Sequence, residues 1–246
     1  MLTENQQLKI QKIRSLRKKR QECIGKLVSK RINNLEVVLN IYRGNFEILE
    51  ELLQKVKNID YAKKLFSGKS KQSRKEIYFE LVRLFHNYSF SISTLISITR
   101  NIMRKNYQDT NLFDFYDSKV DTIFKNNDTA KFLKELRNYF AHNQIPDLYQ
   151  RLKLSTEKSN YSGFLLMREP LLNTFDWSVQ AREFLNNCEE KFDLLDLINE
   201  YDANVHTFYN SIFEKLKTHH NKDLKEYENL KDEIKKLNSE LDFMVL

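Results

Sequence analysis

The stretch that decides the fold is KEIYFELVRLFHNYSFSISTLISITRNIMRK, residues 75–105. Its apolar side chains recur every three or four residues and cover much of a helical wheel, which is the pattern of a helix buried on several sides. Neither Pro nor Gly interrupts it. We therefore expect a long central helix here, with other helices packed around it.

The chain before the central helix has the same period. Apolar residues three or four positions apart run from about residue 5 to 60, with the expected interruptions at Asn33-Asn34 and Arg43-Gly44-Asn45. Residues 67–73 read as a basic polar loop, with Ser73 as a helix cap. This loop contains Gly68-Lys69-Ser70, but a phosphate-cradling loop needs a second Gly five positions upstream, where Lys63 stands. A nucleoside triphosphate site of that type is therefore excluded.

The chain after the central helix predicts further helices and one β element. We expect a short helix at 113–124, a capped helix at about 129–143, a small hairpin within 152–167, and helices at 177–188, 192–216 and 224 to the end. The predicted fold class is all-α, a multi-helix bundle with at most one small β-hairpin near 152–167.

Three segments divide the chain, although one compact unit is the simplest interpretation. They are an N-terminal helical extension (1–60), a helical bundle (75–220) and a C-terminal helix (221–246). The last helix carries a heptad seam of barely two repeats, made of Tyr227, Leu230, Ile234, Leu237 and Leu241. Because sustained coiled coils need more repeats, packing on the same chain is favoured, and a coiled-coil dimer stays open.

The net charge of +7 is concentrated at the N-terminus. Residues 1–31 hold ten Lys or Arg against Glu4 and Glu22, whereas the rest of the chain is nearly neutral. Within them, a ring of basic residues would surround one helix, namely Arg14, Arg17, Lys18, Lys19 and Arg20. A solvated helix face is the favoured interpretation, and an RNA phosphate-binding surface is the alternative.

Several classes of protein are disfavoured by what the sequence lacks. Two cysteines cannot build a disulfide framework, and no zinc-type Cys pair is present. His219 and His220 are adjacent and point to different sides of a helix, so no metal site or cofactor is predicted. No apolar run has the length of a signal peptide or membrane span. We expect a soluble, cytoplasmic protein that does not interact with membranes.

The helix around residues 131–143 carries the polar side chains that point to chemistry. On a wheel of about 100° per residue, one stripe faces the core, formed by Phe132, Leu133, Leu136, Tyr139 and Phe140. Asn138 and His142 share the opposite face, and Arg137 lies at its border. Polar residues that simply end an exposed helix are the alternative interpretation, since Asn143 and Pro146 resemble a helix stop.

The run Leu136-Arg137-Asn138-Tyr139-Phe140-Ala141-His142 resembles the signature of the HEPN superfamily. In that signature an Arg, a following polar residue and, after a short spacer, a His lie near the end of a helix in an all-helical bundle. The match covers seven residues, and the helical setting of 75–220 is compatible with it. The resemblance implies a metal-independent ribonuclease of the kind found in toxin, abortive-infection and CRISPR systems.

The resemblance also implies a role for each residue of the run. His142 is the expected general base or acid, because imidazole titrates near neutral pH. Arg137 is expected to neutralise the phosphorane, and Asn138 to orient the His or the phosphate. Members that an antitoxin silences by nucleotidylation carry a Tyr two residues after the His. Gln144 stands there, which argues against that regulation but leaves open another antitoxin or defence-system partner.

The wheel adds an expectation about assembly. Arg137 and His142 lie about 140° apart, so one helix does not easily aim both at one phosphate. A symmetric homodimer brings two copies of the polar face together, and the family is similar in placing its active site at a dimer interface. The alternatives are a non-catalytic helical module that binds RNA, a nucleotide or a protein, and a scaffold built on the C-terminal heptads.

Overall fold

The computed structural model describes residues 3–67, 71–155 and 160–242. Its helices are α1 (Glu4–Glu22), α2 (Ile24–Lys57), α3 (Ile59–Phe66), α4 (Lys71–Tyr107), α5 (Asn111–Val120), a π-helical turn (Asp121–Lys125), α6 (Asp128–His142), α7 (Arg168–Thr174), α8 (Val179–Asn187), α9 (Leu194–His219) and α10 (Asn221–Asp242). The strands β1 (Leu148–Lys153), β2 (Tyr161–Met167) and β3 (Lys191–Asp193) form an antiparallel sheet in that order. The predicted mostly helical class with a small β element is confirmed. No described helix is both long enough and apolar enough for a membrane span.

Contacts divide the chain into two compact units. The first comprises the described parts of Met1–Glu36 and Ser211–Leu246, and the second comprises those of Val37–Asn210. Helices α2 and α9 each contribute residues to both units. This division differs from the segments 1–60, 75–220 and 221–246 that were expected from the sequence.

The first unit is organised by α1 against α10. Ile13 and Leu16 of α1 form a buried cluster with Ile234 and Leu237 of α10, and Leu230 and Leu241 pack against it. Two ion pairs flank the cluster, Lys9 with Glu240 at 2.8 Å and Lys12 with Glu233 at 2.7 Å. The C-terminal heptad seam therefore packs on the same chain, as its shortness predicts.

Helix α2 lacks both interruptions expected within it. It runs unbroken through Asn33-Asn34 and Arg43-Gly44-Asn45, and the breaks fall instead at Cys23 and Asn58. Asn or Gly inside a helix costs about 1 kcal/mol or less relative to Ala, which the burial of this helix's apolar side chains exceeds. Asn58 ends one helix and begins the next, since its Oδ1 accepts a hydrogen bond from the Tyr61 N–H at 3.0 Å.

The predicted loop before the central helix is partly wrong. Helix α4 begins at Lys71 and includes Ser73, which is therefore not a cap. Gly68, Lys69 and Ser70 of that loop lie outside the described residues. The helix thus begins earlier than its polar first residues indicate, since Lys71, Gln72 and Ser73 are already helical.

The second unit holds α6 between α4 and α8. On the α8 side Phe132 stacks on Phe184, with ring centroids 4.7 Å apart, and Tyr139 stacks on Trp177 at 5.6 Å. The Trp177 indole donates a 2.7 Å hydrogen bond to the carbonyl of Leu171. These aromatic contacts fix both the position and the rotation of α6.

The sheet contains the predicted hairpin and one unexpected strand. Strands β1 and β2 pair from Leu148 with Leu166 to Lys153 with Tyr161. Residues 192–193 were expected to be helical, but they belong to β3. The helix begins only at Leu194, because the Asp193 carboxylate accepts hydrogen bonds from the N–H groups of Leu195 and Asp196 and so caps it.

Candidate functional site

Helix α6 begins and ends as its sequence predicts. Asn127 Oδ1 accepts a 2.7 Å hydrogen bond from the Ala130 N–H, and Asn143 follows the last helical residue. The core stripe is confirmed for Phe132, Leu133, Leu136 and Tyr139, which are buried. Phe140 is only half-buried and packs edge-on against Phe85 of α4, at 5.9 Å between ring centroids. The opposite face of α6 is therefore left for polar residues.

Arg137 is held in place yet keeps most of its donors. Its guanidinium carbon lies 4.8 Å from the centre of the Phe90 ring, and Nη1 donates a 3.0 Å hydrogen bond to Asn138 Oδ1. Nε is buried and has no hydrogen-bond partner among the described residues. A guanidinium has five N–H donors in a planar fork, so this one is oriented and still able to bind phosphate oxygens.

His142 is exposed at the end of α6, one turn beyond Asn138. Within the described parts of the chain it has no hydrogen bond or ion pair. The prediction that His142 lies outside the core is thus confirmed. Of the three predicted site residues, Arg137 and Asn138 are in contact, whereas the structure gives no contact between Arg137 and His142.

His86 is a second imidazole that sequence reasoning missed. It is exposed on α4 and stacks on Phe90, with ring centroids 4.3 Å apart, and it meets the edge of Phe140 at 5.3 Å. The Phe90 ring therefore contacts both His86 and Arg137. His86 and Phe90 are four residues apart, so they lie on one face of α4. Only the packing of α4 on α6 brings this face to residues 137–142, called below the Arg-His motif.

The chain that follows the motif is tied to α7. Gln144 donates a 2.6 Å hydrogen bond from Nε2 to Tyr139 Oη, which also lies 3.1 Å from Thr174 Oγ1. Asn143 Nδ2 donates to the Thr174 carbonyl at 2.9 Å. The end of α6 that carries His142 is therefore anchored on its buried side and open on the other.

The basic ring of α1 belongs to the first compact unit. Arg14, Arg17, Lys18 and Lys19 are exposed, and Arg20 is half-buried. In contrast to Lys9 and Lys12, these five residues have no acidic partner in the described segments. Such unpaired charge is consistent with either a solvated face or a phosphate-binding surface.

A concave site lies beside the motif, in the second unit. This cavity of about 700 Å³ is bounded by α4, α5, the π-helical turn, α6, the start of α8 and α9, and sequence reasoning did not predict it. No group of three or more His, Cys, Asp and Glu side chains in residues 3–67, 71–155 and 160–242 is arranged to hold a metal ion.

Comparison with known proteins does not assign a function, so the proposal below rests on the site itself. No family model, no curated protein and no solved structure matches the chain.

Proposed function

We propose that the protein is a cytoplasmic, metal-independent endoribonuclease of HEPN type that acts in toxin or anti-phage abortive-infection defence. Its active site would be composed from two copies of the chain. The observation that carries the proposal is an oriented Arg137 with donors left for a ligand, hydrogen-bonded to Asn138, which lies one helical turn before the exposed His142.

In the proposed reaction the RNA 2′-hydroxyl attacks the adjacent phosphorus. An imidazole of His142 takes the hydroxyl proton, or in the complementary role protonates the leaving 5′-oxygen. The bond to that oxygen breaks, and the products are a 2′,3′-cyclic phosphate and a 5′-hydroxyl. Arg137 would neutralise the charge that develops on the phosphorane, because its fork matches phosphate oxygens. Asn138 would position that fork through its Oδ1.

The reaction needs one group that accepts a proton and one that donates it. His142 would be the first of them, and there are two candidates for the second. A homodimer brings the partner's copy of the exposed α6 face, so that Arg137 of one protomer complements the His of the other. His86 is the second source, since its ring shares Phe90 with Arg137. Phe79, one of the exposed apolar residues of the chain, lies seven positions before His86 on α4, which supplies apolar surface for a dimer contact.

The central experiment measures cleavage of a panel of tRNAs and single-stranded RNAs in the presence of EDTA. We expect His142→Ala to reduce the rate roughly 10²- to 10⁴-fold, which is the contribution of a positioned acid or base. Arg137→Ala should reduce it comparably, with unchanged helical circular dichroism. His206→Ala, which removes an exposed histidine of α9, is the matched control and should cleave normally. Cleavage that persists in both Arg137→Ala and His142→Ala removes the proposed site.

Subunit complementation tests the composite site directly. Two inactive variants, Arg137→Ala and His142→Ala, are mixed after subunit exchange. If Arg from one chain works with His from the other and His86 supplies the second proton-transfer group, half of the dimers hold one intact site, and about a quarter of wild-type activity returns. If the site needs His142 from both chains, no mixed dimer is intact and activity does not return. A monomer by light scattering contradicts the composite arrangement. Tight RNA binding without cleavage in the wild-type protein supports the non-catalytic binding module instead.

A further inference from the structure

We propose that the cavity between α4, α5, the π-helical turn, α6, the start of α8 and α9, called here the aromatic cavity, binds a nucleoside phosphate. The ligand is either a free nucleotide or one nucleotide of an RNA strand. This inference goes beyond the proposed cleavage, because the cavity residues are distinct from Arg137, Asn138 and His142. Its volume of about 700 Å³ lies within the range of small-molecule sites.

The wall of the aromatic cavity offers rings for a base. Phe113 and Phe124 are half-buried and line it. Phe113 packs on Tyr116 at 5.7 Å and Phe124 on Phe208 at 5.2 Å between ring centroids, so each is held by contact with a second ring of the lining. Braced, partly exposed rings are the surfaces on which bases stack, and stacking tolerates any base because every base has a π-face.

The rim supplies positive charge that has no ion pair among the described residues. Arg100 and Arg104 of α4 and Lys131 and Lys134 of α6 line the cavity, and none of the four has an ion pair with a described carboxylate. Lys125 is different, since it pairs with Asp117 and Asp121. The other acidic residue of the lining is Glu135, whose carboxylate accepts a 2.8 Å hydrogen bond from the Ser178 N–H. Four cations without an ion pair in the described ranges, around an aromatic wall, are complementary to a ligand with both a base and a phosphate.

Tyr116 connects the two halves of the cavity. Its phenol is buried against the aromatic wall, where burial raises the pKa of the phenol and the nearby positive charges of Arg100 and Arg104 oppose that rise. The cationic rim therefore lies close to the aromatic wall. A local departure from α-helical geometry supports a functional role: the Asn126 N–H donates to the Asp121 carbonyl at 3.2 Å, and the resulting π-helical turn presents Phe124. Such turns recur at functional sites.

Helix α6 joins the aromatic cavity to the Arg-His motif. Lys131, Lys134, Asn138 and His142 follow one another at spacings of three and four, so they form one stripe along the helix. Lys134 precedes His142 by eight residues, which corresponds to about 12 Å along the axis. One RNA strand lying on this stripe would reach both places, so the cavity would hold a nucleotide close to the scissile phosphate.

Binding is measured by calorimetry with the His142→Ala protein, so that RNA is not cut. The probes are the four ribonucleoside 5′-monophosphates, their nucleosides and inorganic phosphate. We expect the monophosphates to bind more tightly than either fragment. Arg104→Glu and Lys134→Glu should each weaken monophosphate binding at least tenfold. Phe113→Leu keeps the apolar bulk but loses the π-face, and should weaken it about five- to 150-fold.

Lys105→Glu is the matched control, because Lys105 is exposed on α4 next to Arg104 but does not line the cavity. It should bind as the parent does. The proposal is overturned if no monophosphate binds, or if Lys105→Glu weakens binding as much as Arg104→Glu does. It is also overturned if the cavity variants bind normally while circular dichroism shows them folded.

A single-stranded RNA 12-mer of mixed sequence distinguishes the two sources. If the cavity variants weaken its binding and monophosphates compete with it, the site holds a nucleotide of RNA. If they weaken only monophosphate binding, the ligand is a free nucleotide. Both outcomes are independent of cleavage, because they measure binding alone. Failure of the proposed nuclease activity would therefore not decide whether the cavity binds a nucleotide.

Discussion

Two polar clusters of the second unit differ in how far their hydrogen-bonding capacity is used. At the sheet, Asp193 accepts from Tyr161 Oη at 2.6 Å and from the Leu195 N–H at 2.8 Å, and it lies 3.2 Å from Lys57 Nζ. Both carboxylate oxygens are thus occupied. On α6, Arg137 has one hydrogen bond to the described protein and His142 has none. Both clusters join charged and polar groups, but only the second has capacity left for a ligand.

The first group, Asp193 with Tyr161 and Lys57, is called here the Asp193 cluster. The pKa of Lys57 reflects the bonds made within it. Burial acts to lower the pKa, but the charge of Asp193 and hydrogen bonds to Asp196 and Asp193 outweigh it, and the pKa is raised. The pKa of the Tyr161 phenol is raised by burial and by its bond to Asp193. The comparison teaches that polar groups whose hydrogen bonds are all made within the protein stabilise the fold. Oriented polar groups with hydrogen-bonding capacity left are the better candidates for function.

Substitution of Arg137 by Lys should give the largest effect and no change in stability. Lys keeps the charge but loses the planar fork and the contact with Phe90, so we expect cleavage to fall about 10²- to 10³-fold. The midpoint of thermal unfolding should stay near that of the wild type. Single-turnover RNA cleavage and calorimetric scans measure the two quantities. A large loss of stability would place Arg137 with the Asp193 cluster and weaken the distinction.

Asp193→Ala should show the opposite behaviour. It removes the cap of α9, leaves the Tyr161 hydroxyl without its acceptor and leaves Lys57 with Asp196 alone, so the free energy of unfolding should fall by about 2–4 kcal/mol. Urea unfolding measures this loss. Asp193→Asn retains an oxygen for the cap and should lose less. Cleavage per folded molecule is expected to stay at the wild-type level in both variants, and a specific loss of cleavage would assign the cluster a role in the reaction.

Gly163→Ala probes the same cluster from β2. A Cβ at Gly163 would lie 2.6 Å from Tyr161 Oη, so the phenol must move away from Asp193. We expect a cost of about 1–2 kcal/mol, consistent with overpacking and a lost hydrogen bond. In a Tyr161→Phe background the same substitution should cost less, because no hydroxyl is displaced. Equal costs in the two backgrounds, measured by urea unfolding, would refute this coupling.

The smallest expected effect is a change in the alkaline stability profile. Because folding raises the pKa of Lys57, its contribution is complete below the unfolded value of about 10.4 and is lost as the pH rises through the folded value. Lys57→Met should therefore show a shallower loss of stability above pH 10 than the wild type. Unfolding free energies at pH 8, 10 and 11 give the comparison, and parallel profiles would contradict it.

Sequence periodicity predicts α6 well because its signals are local. Asn127 caps it, and a stripe from Phe132 to Tyr139 faces the core. The contact of Phe90 with both His86 and Arg137 could not be predicted, because it depends on how α4 packs against α6. The aromatic cavity likewise gathers residues from six elements. Short elements such as α7 and β3 carry too few residues for a periodic signal.

The ion pair between Lys9 and Glu240 spans 231 residues of chain. At a synthesis rate of 5–20 residues per second, α1 would leave the ribosome roughly 10 to 50 s before α10 is complete. During that interval Ile13 and Leu16 lack the apolar partners that later cover them. The positive charges of Arg14, Arg17, Lys18 and Lys19 would then reduce association between the α1 helices of neighbouring nascent chains, because like charges repel one another.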